Sequence, residues 1–162
     1  MTTYGLVATY LPLAARGEGR NPGLFFLVMA AAVIVARGYA GRLSDQWGRP
    51  PVAAVGAAFQ ASALLPLALA PGAGSLIAAG LLYGLGFGTT QPALVAWCAD
   101  LVGPAERGKA MGTFFTALEL GIALGAVGAG WVLREAGYGG LFLTGSAVSL
   151  LGCTLAGLRL RW

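Results

Sequence analysis

GRLSDQWGRPPV, residues 41–52, gathers two arginines, an aspartate, two glycines and two prolines into twelve positions, while the chain on either side is almost uncharged. What surrounds this polar island decides what it is. Of the 162 residues, 57% are hydrophobic and only 10% charged, and the mean hydropathy is +0.77. A soluble domain carries about a quarter charged residues, and so few charges do not cover a water-facing surface. The composition therefore describes an all-α protein that crosses a membrane several times.

Apolar runs close to the roughly 20 residues needed to cross a bilayer recur with polar punctuation between them. Six spans are expected, at about 4–14, 23–40, 52–70, 75–98, 110–133 and 141–158. The first is short for a crossing. It is either tilted or re-entrant, or the chain begins inside a longer helix, and we favour the latter. Met1 to Ala15 has no basic stretch ahead of its apolar residues, so no cleavable signal peptide is expected.

Lys and Arg set the orientation. Arg37, Arg42, Arg49, Arg107, Lys109, Arg159 and Arg161 fall on one side; Arg16, Arg20 and Arg134 fall on the other. The first side is expected to be cytoplasmic, which puts the island, the Asp100–Lys109 loop and the C-terminus there.

Several function classes drop out. The net charge of +4 comes without a basic run, so lipid and topology account for it and no nucleic-acid partner is expected. There is no histidine, and Cys98 and Cys153 stand apart in apolar segments, which leaves no metal site, no cofactor and no catalytic triad to expect. No enzyme is expected. GLGFG at 84–88 completes no dinucleotide fingerprint and lies in mid-span.

Inside a short cytoplasmic loop each island residue has a use. Gly41 and Gly48 permit tight helix ends, Pro50 and Pro51 suit a helix start, and Asp45 is an anion where helix termini and arginines converge. A simple topogenic hairpin would use the same residues.

The spacing Gly41-x-Leu43-x-Asp45-x-x-Gly48-Arg49 resembles motif A of the major facilitator superfamily, and the preceding ARGYAGRL, with Arg37 four positions before Gly41, is similar to its drug- and sugar-efflux members. Gln46 and Pro50 stand where basic residues are usual. The resemblance extends over the whole chain: DLVGPAERGKAMG after the fourth span and the glycine-rich fifth span look like parts of helices seven to twelve.

This resemblance implies a six-helix C-terminal half of a carrier with its first helix truncated. It implies Asp45 as the anion of a conformational latch, with Arg107 or Arg37 as its partner. It further implies transport of small organic solutes, outward and proton-driven, by a multi-pass protein of the cell (plasma or inner) membrane. Such a half would need a separate N-terminal half or a second copy. The alternative is a non-transporting fragment.

Small residues bring helices together in lipid. Gly80, Gly84 and Gly88 on the fourth span, and Gly121 and Gly125 on the fifth, recur every fourth residue and are expected to be packing faces. Glu119 lies within the fifth span, where a carboxylate is costly, and roughly opposite Gly121 on the helical wheel. It is expected to serve in proton coupling or cation contact, or else as a paired structural acid. Gln91 precedes Pro92, which frees a backbone carbonyl. Tyr83, Phe87 and Gln91 form a ridge at four-residue spacing. By the family resemblance, that ridge with Tyr4 and Tyr10 lines the central cavity; a packing stripe would have the same spacing. Trp97, Trp131 and Trp162 fall near span ends, where interfacial anchoring is expected.

Overall fold

The computed structural model describes residues 1–17, 19–69 and 72–158, the last by its backbone alone. Arg159, Arg161 and Trp162, and the Ala70 and Pro71 of the third turn, lie outside the described residues. Among the described residues five α-helices follow in order: α1 Thr2–Gly17, α2 Gly23–Trp47, α3 Arg49–Leu69, α4 Ala73–Asp100 and, after a short 3-10 turn at Pro104–Glu106, α5 Arg107–Leu158. No strand occurs among the described residues. Helices α2, α3, α4 and α5 are long and apolar enough to cross a bilayer. At 16 residues, α1 spans about 24 Å, short of a bilayer core about 30 Å thick.

The fifth helix is really two. Gly137 has φ 66° and ψ −171°, a backbone conformation that side-chain-bearing residues avoid, and the chain reverses there. Thr2 abuts Gly125 and Thr3 Oγ1 accepts a hydrogen bond from Ser149, so residues twelve before and twelve after Gly137 meet the same turn of α1. We call 107–136 the first limb and 138–158 the second. With α1, this makes six helical rods.

The island is not a loop. Helix α2 continues through Arg42 to Trp47, and α3 starts at Arg49, so the turn is the single residue Gly48 at φ 88°. Pro50 and Pro51 occupy the first turn of α3, where backbone N–H groups have no helical acceptor to lose. Gly41, expected to end a helix, sits inside one.

The rods form two layers. In the front row α2 packs on α4 through the glycine ladder, α4 touches α1 through Tyr4 and Phe87, whose ring centroids are 5.2 Å apart, and α1 meets the first limb through Gly5, Ile122 and Ala126. Behind them lie α3, closing on α4 at Gly56 and Gly86, and the second limb, whose Ser146 donates to the carbonyl of Ala61 on α3 at 2.8 Å. Val7, Leu11, Phe25, Leu64, Leu76 and Leu141 fill the space between the layers.

The glycines set the spacing. A Cβ at Gly80 would lie 2.7 Å from the Phe25 carbonyl oxygen, one at Gly84 would lie 2.6 Å from the Ala32 Cβ, and one at Gly88 would lie 2.8 Å from the Ala36 Cβ. All three separations are below van der Waals contact, so α2 and α4 approach as closely as backbones allow. Gly125 lies equally tight on Thr2, while Gly121 has ordinary contact with it.

Candidate functional site

Two clusters of polar side chains stand out on α4, one at its C-terminal end and one about 14 Å back along its axis, at nine residues and 1.5 Å each. The end cluster is built on Arg49. Its Nε donates to Asp100 Oδ2 at 2.9 Å, while Nη1 donates to Asp45 Oδ1 at 2.6 Å and to Ser44 Oγ at 3.1 Å. One guanidinium thereby joins the end of α2, the start of α3 and the end of α4. The fork of five N–H donors makes such bridging possible, where a lysine offers a single ammonium.

Local structure places these groups. Since α2 and α3 are separated only by Gly48, Asp45 and Arg49 stand four residues apart across the turn, and their side chains meet. Asp45 therefore pairs with Arg49, not with Arg37 or Arg107 as expected; Arg107 is exposed and makes no ion pair among the described residues. Ser44 is buried, whereas the Asp45 and Asp100 side chains are 66% and 55% exposed. Each exposed pair is worth only about 0.2–1 kcal/mol. Leu43 packs on Val52, Ala53 and Ala93 beside the cluster.

The second cluster is Arg37 and Gln91. Arg37 Nη2 donates to Gln91 Oε1 at 2.7 Å. Arg37 lies ten residues before the end of α2, about 15 Å, and its side chain turns to α4 instead of reaching along α2 to the helix end. It has no carboxylate partner among the described residues.

The remaining candidates separate by burial. Phe87 and Tyr4 are half-buried at the centre of the front row. Tyr83 is fully buried: its hydroxyl donates to Thr3 Oγ1 at 3.3 Å and its ring lies 6.2 Å from Phe25. It joins α4 to α1 and α2, so it is a core residue and not a wall residue. Tyr10 donates to the Ala126 carbonyl at 3.1 Å and ties α1 to the first limb. Glu119 is exposed, seven residues and thus about two turns before Ala126 on the same side of the first limb. Trp97 is half-buried and Trp131 exposed.

Sequence reasoning passed over Asp100 and Ser44, the two further partners of Arg49. It also passed over a mostly apolar cavity of about 140 Å³ behind the front row, whose lining includes Thr3, Gln60, Thr90 and Ser149. Thr90 Oγ1 is buried there without a partner among the described residues. No group of three or more possible metal ligands occurs among the described residues.

Comparison with known proteins gives one family. The pattern of the Major Facilitator Superfamily matches residues 1–161. An uncharacterized MFS-type transporter of Burkholderia mallei (strain SAVP1) is 32% identical over 155 residues, 94% of this chain and 38% of the relative. One of Burkholderia pseudomallei (strain K96243) matches to the same extent. An uncharacterized MFS-type transporter of Mycobacterium tuberculosis (strain ATCC 25618 / H37Rv) is 28% identical over 132 residues, 82% of this chain and 22% of the relative. The chain thus spans less than two fifths of the length of these relatives.

Proposed function

The chain belongs to the major facilitator superfamily, a family of membrane carriers, and from that premise we propose that it is the C-terminal half of a secondary transporter for small organic solutes. The solute moves outward across the cell membrane, driven by a proton gradient through alternating access. The polar island and the C-terminus are cytoplasmic. The substrate path runs along the front row of helices, against a six-helix N-terminal half or a second copy of this chain.

The observation that carries this reading is the Asp45–Arg49–Asp100 bridge. It ties the α2–α3 turn to the end of α4 by exposed ion pairs, and such pairs are weak enough to be made in one conformation and broken in another. Glu119 fits the same reading. A carboxylate within an apolar helix is a functional candidate by default, and this one lies on an exposed surface that a partner half would face.

Flux in proteoliposomes tests the proposal. The chain is reconstituted alone and beside the N-terminal half of a Burkholderia relative, with a panel of fluorescent amphipathic compounds and an imposed pH gradient. Flux confined to the paired sample is the expected result, and flux from the chain alone would assign transport to a homodimer. Absence of flux in both would favour a second reading, a non-transporting membrane fragment.

A further inference from the structure

Arg37 is charged and exposed, lies three residues before the expected end of its apolar span, and is met, among the described residues, only by a neutral amide. An arginine near the end of an apolar span is found facing water, a polar cavity or a partner. Its guanidinium turns to Gln91 on α4 instead of following α2 towards the island.

The donors left over define what fits. Gln91 Oε1 uses one of the five guanidinium N–H groups, and the Gln91 amide keeps both of its own. These donors open on a cavity of about 390 Å³ lined by Arg37, Gln91, Pro92, Val95, Ala96 and Ala99. One wall is a convergent set of N–H donors with a full positive charge, and the rest is apolar or small. Asp45 and Asp100, both paired with Arg49, are not among its lining residues.

We propose that Arg37 and Gln91 form the subsite for the anionic group of the transported solute, an amphipathic organic anion whose carboxylate or phosphate meets the guanidinium while its apolar body lies against Pro92, Val95 and Ala96. The proposal rests on the carrier reading for the word "transported", but the binding step stands by itself. Planar, two-toothed recognition of carboxylate and phosphate is the chemistry in which arginine differs from lysine. The anionic headgroup of a lipid offers the same chemistry, and the test separates the two.

The probe is 2-naphthoate, with the neutral 2-naphthamide as its isostere. Calorimetric titration uses the full chain in phosphatidylcholine nanodiscs, with empty nanodiscs subtracted. Saturable binding of naphthoate is expected, weakened about tenfold or more in Arg37→Gln and less in Arg37→Lys, with naphthamide unaffected by either change. Equal naphthoate binding in wild type and Arg37→Gln, or none in wild type, would overturn the subsite. Circular dichroism and the Arg37→Lys variant show whether a loss comes from misfolding. Adding phosphatidylglycerol is expected to leave the probe bound; its displacement would assign the subsite to a lipid headgroup and overturn the solute assignment. In the paired flux assay, transport of neutral or cationic dyes with no Arg37-dependent anion flux would remove the subsite and leave the carrier reading intact. Arg37-dependent binding with no flux of any compound would do the reverse.

Discussion

Two arginines reach α4 from the same stretch of chain, twelve positions apart, and they are treated in opposite ways. Arg49 meets Asp100 and Asp45 and is neutralised twice over. Arg37 meets Gln91 and is not neutralised by any described residue. The first arrangement suits holding helix ends together, since its charges are spent on one another. The second keeps its charge for something that comes from outside the chain. Close approach to α4 underlies both: the glycine ladder brings α2 near enough for Arg37 to reach across, and the Gly56–Gly86 contact does the same for α3 and Arg49.

Breaking the ladder therefore carries the largest effect. Gly84→Leu forces a side chain against the Met29 backbone and Ala32 and is expected to cost ~3 kcal/mol, the upper end of the range for overpacking. The check is the fraction folded across a titration of denaturing detergent into mild micelles. Little change in the midpoint would show that α2 and α4 are not held at this distance, and the contrast between the arginines would lose its frame.

Removing one anion from Arg49 is a milder change. Asp45→Asn is expected to slow conformational cycling while membrane insertion stays intact. One exposed ion pair is worth up to about 1 kcal/mol, roughly a fivefold shift between conformations. Transport by the paired carrier reads the effect, and unchanged rates would remove the latch role of Asp45.

The smallest effect expected is at Gly41. The helix runs through it and a Cβ there meets nothing within 4 Å, so Gly41→Ala should stabilise the chain by about 0.5–1 kcal/mol. A destabilised variant would mean that α2 ends before the island after all.

How much of this could be read from the sequence differs from part to part. Apolar runs of span length and the polar breaks between them carry the all-helical membrane architecture, because bilayer thickness fixes helix length. The helix through Arg42–Trp47 was hidden, since hydropathy marks where the membrane stops and not where the helix does. Gly48, one residue at positive φ, was enough for the turn. Asp45 and Arg49 stand four positions apart, and the turn at Gly48 between them is tight enough to bring their side chains together, which neither Arg37 nor Arg107 could match. Asp100 was out of reach: it is 51 positions from Arg49, and only the packing of α3 on α4 brings the two together. Tyr83 shared its spacing with Phe87, yet α1 covers the one completely and the other in part, a difference that no single-helix pattern contains.

The measurement that tests the bridge most directly is a charge swap in the paired carrier. Arg49→Asp and Asp100→Arg are each expected to impair flux, and the double variant to regain a substantial part of it, because the guanidinium moved to α4 would again face carboxylates at the α2–α3 turn. A double variant no better than the worse single one would contradict the account: the α2–α3 turn would not be held to α4 by this ion pair.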